Sequence, residues 1–503
     1  MRRCKEVSFG AYSIIVFIIF KMLITTICML IATMFFLWIL FERKINRMKK
    51  MTEKLPGPKT TPIIGNGLDV GRTPKDHLKC LLRYCSEYGD IYRFWILHNL
   101  IIAVSNLEYV RIILSDPELL DKAYFYSYIP FGARGLVLSP AEIWKTHRKI
   151  IGPAFHLSFL KTYVDIFNKR LDSLLSDLSE NVNAPEFDIY ENLKNYTIDN
   201  ICETTTGITE YTDNIKRSEV WNLLECAQDA LMYRVQRPWF DIEALFRLTP
   251  MGRSVERGKD KLKILIPEFI RTRKEMRTED TEHHNVLDTL IEKMEEKIIT
   301  LEDVGDELVI MFAAGTETVA STMAFMCAIL AKHPEVQEKI MEEQKMMFGD
   351  SQRSATFNEL QSMKYLGMAI KETLRLYPII PVFGRKLRKD YELGGHILPA
   401  GANVMVYLET IYRNPEIFPE PDKFDPNRFL PEVVSERHSF SFLPFGAGSR
   451  NCIGYKYGML QIKAVMSRLL RRYKILPGNK PLETDWKLSL LPSSGVYVRL
   501  EDR

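Results

Sequence analysis

Between Met22 and Phe41 the chain runs for twenty residues without a charged side chain. At about 1.5 Å of rise per residue, about 20 apolar residues match a hydrocarbon core about 30 Å thick, so this pattern predicts one transmembrane helix. A second apolar run, Tyr12 to Phe20, is separated from it by Lys21. The segment Glu42–Lys50 carries five basic residues against one acidic, which places the bulk of the chain on the cytosolic side. Arg2, Arg3 and Lys5 pull weakly the other way. The run is too long for a cleaved signal peptide, and no small-residue cleavage site follows it. Leu55-Pro56-Gly57-Pro58 and then Pro62 form a stiff break where no helix continues. We therefore expect an anchor with a basic flank over residues 1–54 and one large globular unit over residues 55–503.

Within that unit, short β-prone runs fall at Ile91–Ile96, Leu100–Val104, around Gly394–Gly395 and at Val404–Tyr407. Helical periodicity dominates elsewhere, as in Leu160–Leu178, Leu301–Lys332 and Pro334–Met347. The expected class is mainly α with a small β-sheet region. From Leu308 to Leu330 the chain is apolar nearly all round, which marks a helix in the middle of a large domain. Gly315 weakens that helix, Thr316 and Thr318 can bond back to its carbonyls, and Glu317 is an acid in an apolar setting. Together these predict a bent, functional helix; the bland alternative is a packed helix whose acid points to solvent.

Composition narrows the class without naming it. The 503 residues are 46% hydrophobic and 26% charged, with a net charge of +4. That is globular composition with no nucleic-acid footprint. Eight cysteines form no CxxC pair, so a disulfide framework or zinc site is not expected.

One cysteine stands apart. In Phe445-Gly446-Ala447-Gly448-Ser449-Arg450-Asn451-Cys452-Ile453-Gly454, glycines let the backbone approach something flat or bulky. Tyr455, Met459, Ile462, Val465 and Leu469 then read as an amphipathic helix. Cys452 thus sits at a helix N-terminus beside Arg450, a setting expected to lower its pKa.

The pattern Phe-Gly-x-Gly-x-Arg-x-Cys-x-Gly resembles the haem-binding loop of the cytochromes P-450. Further matches follow in that family's order. Glu372-Thr373-Leu374-Arg375 resembles its ExxR pair, and Pro426-Asn427-Arg428-Phe429 the segment whose arginine completes a Glu-Arg-Arg network. Ala314-Gly315-Thr316-Glu317-Thr318 is similar to its oxygen-activating helix, and Trp144-Lys145-Thr146-His147-Arg148 to its WxxxR motif. Alone, each pair reads as an ordinary ion pair or cation–π contact; it is their joint order that carries the resemblance.

The resemblance implies the cytochrome P-450 fold and a haem b held by Cys452 as the axial thiolate, in the loop that includes Phe445, Gly446 and Gly454. It implies that Trp144, Arg148, Arg385 and Arg450 contact the haem propionates. It implies that Glu317 and Thr318 supply protons for oxygen activation, and that Gly315, next to Ala314, opens the helix for oxygen. Electrons would come from NADPH–cytochrome P-450 reductase, with cytochrome b5 as an accessory donor, since no flavin or nicotinamide fingerprint is present. The basic run Lys145, His147, Arg148 and Lys149 is a candidate docking patch for such a partner. The anchor implies the endoplasmic reticulum membrane.

Asp199-Asn200-Ile201-Cys202-Glu203-Thr204, Phe383-Gly384-Arg385 and the Gly446–Gly454 loop resemble the animal clan, well populated in insects, that includes fatty-acid ω-hydroxylases. Here Ala314 stands where many of its members carry a glutamate esterified to a haem methyl, so non-covalent haem is expected. Thr316-Glu317 replaces His-Asp, and Tyr457-Gly458 replaces Phe-Ala. Tyr124–Phe131, Ile379–Phe383 and Leu490–Gly495 match loops that line family pockets, and their composition suits a lipophilic fatty acid, terpenoid or xenobiotic. The rival activities are a haem-thiolate isomerase or dehydratase acting on a peroxide and a non-catalytic haem-bound lipid carrier.

Overall fold

The computed structural model describes residues 2–69, 73–209, 214–276 and 285–503. It forms two compact units. The first comprises the chain up to Leu55 together with Asp390–Pro399. Its helix α1 spans Arg2–Met51, of which Phe20–Met51 is long and apolar enough to cross a membrane. Arg47 pairs with Asp390 at 2.5 Å. Asp390 precedes a hairpin whose strands turn at Gly394 and Gly395, both at positive φ. Two glycines at that turn meet the left-handed geometry of a tight hairpin.

The second unit, Pro56–Lys389 and Ala400–Arg503, is mainly helical with small sheets. The helices used below are α2 (Ala141–Ile151), α3 (Leu157–Ser179), α4 (Ile189–Thr206), α5 (Asn214–Val235), α6 (Leu301–Leu330), α7 (Pro334–Phe348), α8 (Lys364–Leu376) and α9 (Tyr455–Arg472). The strands among the described residues are β1 (Ile91–Ile96), β2 (Asn99–Val104), β3 (Phe187–Asp188), β4 (Val382–Lys386), β5 (Tyr391–Leu393), β6 (His396–Leu398), β7 (Asn403–Tyr407), β8 (Tyr473–Pro477), β9 (Thr484–Trp486), β10 (Leu490–Pro492) and β11 (Tyr497–Asp502).

The largest sheet has the order β1-β2-β7-β4, with β2 and β7 parallel and the outer pairs antiparallel. The central strands β2 and β7 are buried almost throughout, which is why they read as continuous apolar runs. The runs at Ile91–Ile96, Leu100–Val104 and Val404–Tyr407 fall on β1, β2 and β7. The sheet's fourth strand, β4, contains Gly384-Arg385 and does not read as a strand at all. The helices expected at Leu160–Leu178, Leu301–Lys332 and Pro334–Met347 are α3, α6 and α7.

Helix α6 is the buried axis. Leu308, Ala320, Met323, Ala324, Phe325, Met326 and Cys327 have no exposed surface. It begins at a reciprocal cap in which Asp303 N–H donates to Thr300 Oγ1 (3.1 Å) and Thr300 N–H to Asp303 Oδ2 (2.8 Å). The helix is continuous through Gly315. Thr316, Thr318 and Thr322 do donate back to the carbonyls of Phe312, Ala314 and Thr318 at 2.6–2.7 Å. Gly315 has a packing reason: a Cβ there would lie 2.4 Å from Ile201 Cδ1 of α4.

Helix α8 ends on a fully buried ion pair. Arg375 donates through Nε and Nη2 to the two Glu372 oxygens, each at 2.8 Å. The remaining guanidinium protons reach the carbonyls of Tyr412 (3.0 Å), Pro421 (2.7 Å) and Lys423 (3.1 Å). Arg428 Nε stands 3.3 Å from Glu372 Oε1, which also accepts from Asp425 N–H at 3.0 Å. A surface pair would contribute a few tenths of a kcal/mol, but removing one partner of a buried pair costs about 3–5 kcal/mol. Glu372→Ala is therefore expected to lower the thermal unfolding midpoint sharply, measured by circular dichroism of the purified protein. An unchanged midpoint would contradict the network's structural role.

Candidate active site

A cavity of about 470 Å³ opens inside the second unit, between α6, α5, the Tyr124–Tyr128 turn, Ile379–Phe383 and the cysteine loop. Two of the three expected lining segments take part. The third is displaced: Trp486–Ser489 line the cavity, rather than Leu490–Gly495. Strands β9 and β10 pair Trp486 with Leu490, so the turn between them projects inward while the return strand is tied to Ile379 O by Leu490 N–H (2.7 Å).

The cysteine loop is pinned by its own backbone. Cys452 N–H donates to Phe445 O (2.8 Å) and Asn451 N–H to Gly448 O (3.1 Å). Gly448 sits at φ +69°, and a Cβ there would fall 1.8 Å from Leu114 O, so nothing larger fits. Helix α9 starts at Tyr455 with Gly454 as its N-cap. The Cys452 side chain lines the cavity and is exposed to it, with protein packed around it. Burial pushes its thiol up; the Gly454 N–H and the Arg148 charge oppose this and are outweighed. The expected lowering by the helix end is thus not seen in the protein alone.

Four cations surround the loop's side of the cavity. Arg148 of α2 donates to Asn451 O (3.1 Å) and Oδ1 (2.9 Å). Arg450 donates to Leu136 O (3.1 Å) and Ser139 O (2.5 Å), its guanidinium 4.8 Å from the Trp144 ring. Arg385 of β4 reaches Gly384 O at 3.3 Å. The fourth, Lys122, carries no motif and was not expected. Its ammonium lies 4.8 Å from the Tyr126 ring, and burial with the charges of Arg385 and Arg450 holds it well below the ordinary lysine value. Arg450 is pushed down to about 10 by burial and by Arg385. None of the four forms an ion pair among the described residues, and Nε of both Arg385 and Arg450 is buried without a partner.

Glu317 and Thr318 both line the cavity but do not touch each other through a hydrogen bond. Successive helical residues diverge by about 100°, and each has found other partners. Thr318 Oγ1 donates to Ala314 O at 2.7 Å. The Glu317 carboxylate is buried, not solvated, and accepts from Gln228 Nε2 (2.6 and 2.7 Å) and from Ser489 Oγ (2.6 Å). Burial pushes this carboxyl up, and its three hydrogen bonds pull the other way. Gln228 and Ser489 come from α5 and the β9–β10 turn, far apart in the chain, and no sequence pattern links them to Glu317.

The basic run of α2 divides. Lys145 and Lys149 are exposed, whereas His147 is buried with Nδ1 2.7 Å from Glu307 Oε1. Arg148 is occupied at Asn451. Of the four cations in the run, two lysines are therefore exposed.

With this geometry in place, comparison with known proteins gives the class. The family model described as Cytochrome P450 matches residues 55–500. The chain is 32% identical to cytochrome P450 4c21 of Blattella germanica over 95% of its length and 99% of that protein's. It is 33% identical to probable cytochrome P450 4aa1 of Drosophila melanogaster over 90% of each chain. It is 27% identical to cytochrome P450 4V2 of Homo sapiens over 92% of this chain and 93% of that one. The chain belongs to the cytochrome P450 family, the haem-thiolate monooxygenases. The family's cofactor is haem b with a cysteine thiolate as axial ligand.

The residues present fit that group. Four uncompensated cations with orphaned guanidinium nitrogens suit a dianion, and forked donors suit carboxylates. A thiol exposed to the same cavity suits a metal that deprotonates it on binding.

Two measurements follow. Gly315→Ala must displace Ile201, and is expected to cost about 1–3 kcal/mol in chemical denaturation. Lys122 has a depressed folded-state pKa, so the unfolded chain binds the extra proton up to the ordinary value of 10.5. Stability of the haem-free protein is therefore expected to rise with pH through that window. Denaturant titrations across alkaline pH should show a shallower rise in Lys122→Met; an identical slope would remove Lys122 from the account.

Proposed function

We propose that the protein is a membrane-anchored monooxygenase that inserts one oxygen atom of O2 into a lipophilic substrate, with Cys452 as the axial thiolate. One observation supports this most: a single cavity brings together the Cys452 thiol, four unpaired cations and an acid and a hydroxyl on one helix. When bound, haem supplies the activation of dioxygen that lets an unactivated C–H bond be oxidised. Arg148, Arg385, Arg450 and Lys122 hold the propionates, while Trp144 props the Arg450 guanidinium. Ala314 offers no carboxylate for an ester, so the haem is held non-covalently. Phe445 flanks the thiolate in the cavity wall. Gly446, at positive φ, lets the loop turn, and Gly454 offers the N–H that the thiolate accepts.

Glu317 is suited to hold a proton, because burial raises its carboxyl toward the range where it can be released and regained. Thr318 places a hydroxyl in the same wall, one residue along. The two act in series through the cavity rather than by direct contact. Their presence favours oxygen insertion over a peroxide isomerase or a lipid carrier, neither of which needs a proton path.

Electrons come from the NADPH-dependent reductase, with cytochrome b5 as a second donor and Lys145 and Lys149 offered to an acidic partner. The chain sits in the endoplasmic reticulum membrane as a single-pass protein, its large unit in the cytosol. Apolar side chains exposed on that unit support contact with lipid: Ile63, Leu68, Trp239, Ile242 and Leu248 are each more than half exposed. The two segments that carry them are joined by Leu97 N–H to Ile64 O (3.1 Å) and by His98 to Asp241 (3.4 Å). Substrates that partition into lipid would arrive at that face.

The reduced, carbon monoxide-treated protein is expected to show the red-shifted Soret band of thiolate-ligated haem, lost in Cys452→Ser. Absence of the band in folded, haem-loaded wild type would end this reading. Thr318→Ala and Glu317→Gln should keep the band yet lower product formed per NADPH by about a hundredfold, the contribution typical of a positioned acid or base. Unchanged coupling would remove both from proton delivery.

A further inference from the structure

The cavity is electrically lopsided. All four unpaired cations lie around the cysteine loop and the Tyr124–Tyr128 turn, where the propionates belong. Glu317, on α6, shares no hydrogen bond with any of them, and its partners come from α5 and the β9–β10 turn. Lys487, the remaining cation in the wall, is paired with Asp229 at 2.7 Å. The cavity lining is mostly apolar, with the hydroxyls of Thr318 and Thr322 and the Gln236 amide among its polar groups.

Gln228 is held in one orientation. Its Nε2 donates to both Glu317 oxygens, and turning the amide over would set a carbonyl against a carboxylate. That choice leaves Oε1 with no donor, in a residue that is 6% exposed and lines the cavity. A buried acceptor without a donor is unfavourable in a resting protein, and a ligand that brings the donor recovers the loss. While Glu317 is ionised, the carboxylate behind the amide makes the field at this point negative, so an anionic group is repelled. Lys194 and Lys487 already offset part of the Glu317 charge, which leaves little gain for a cation.

We propose that Gln228, fixed by Glu317, is a specificity-determining residue whose carbonyl accepts a hydrogen bond from a hydroxyl group on an otherwise lipophilic substrate. This rests on the monooxygenase reading and names the substrate class for it: a neutral lipophilic alcohol rather than a free fatty acid. Ser489 is a positioning residue, since it touches Glu317 and not the ligand.

The test uses the haem-loaded full-length protein, with binding read from ligand-induced changes in the Soret absorption. The probes are 1-dodecanol, its methyl ether and dodecanoate, which share a chain and differ in the head group. The wild type is expected to bind the alcohol about tenfold more tightly than the ether, the scale of one net hydrogen bond, with dodecanoate weakest. Gln228→Leu and Gln228→Met should bind alcohol and ether alike, and Ser489→Ala should keep the preference. Equal binding of alcohol and ether by the wild type, tightest binding of dodecanoate, or a preference that survives in both Gln228 variants would overturn the proposal. Any of these with the thiolate–carbon monoxide band intact leaves the monooxygenase reading standing; loss of that band in the wild type fails the reading itself.

Discussion

A fully buried arginine sets the terms for the heme-side architecture. Arg375 has no exposed surface, and its charge is tolerable in the interior because every direction of the guanidinium ends on an acceptor. Those acceptors belong to Glu372, to Tyr412 and to the stretch from Pro421 to Lys423. The arginine thus draws together the end of one helix, the short helix that closes at Tyr412 and the stretch from Pro421 to Lys423. Tyr412 passes the constraint on, because its hydroxyl accepts from Leu443 N–H at 2.7 Å just before the cysteine loop. The loop's place therefore descends from an ion pair whose desolvation is repaid only if all its members stay in position.

The cavity shows the complementary arrangement. Near Arg375 charge is balanced; around the cysteine loop it is not. Lys122, Arg385 and Arg450 repel one another in a buried setting, and the strain appears as amine and guanidinium groups held below their ordinary values. Such an imbalance persists in a folded chain when an anion from outside completes it. On the opposite count, Glu317 has donors enough to remain charged or to take a proton, as the moment requires. One wall is prepared for a cofactor's carboxylates and the other for proton traffic, within a single space.

Much of this was legible in the sequence, for reasons that differ between residues. Cys452, Glu372, Arg375 and Trp144 stand in short local patterns, and local patterns survive without knowledge of the fold. Strands β2 and β7 were visible because burial on both faces leaves an uninterrupted apolar run. Strand β4 was hidden by a glycine and an arginine, whose placement is decided by the Tyr126 and cysteine-loop surroundings and not by alternation. Lys122, Gln228 and Ser489 were illegible because each acquires its meaning from residues more than 80 positions away. Gly315 was noticed for its cost to the helix, but its cause is the neighbouring Ile201, which no periodicity reveals.

The contact between Gly315 and Ile201 also fixes an order in which this wall can change. Ile201 faces the cavity as well as α6, so its side chain serves two surfaces at once. An alanine at 315 collides with the outer carbons of Ile201 but would stand 3.4 Å from its Cβ, an ordinary contact. A lineage that first shortens residue 201 can therefore acquire a larger residue at 315 without penalty, whereas the reverse order passes through a strained intermediate. Two positions that lie 114 apart in the chain are in this sense one site of variation, open from one side only.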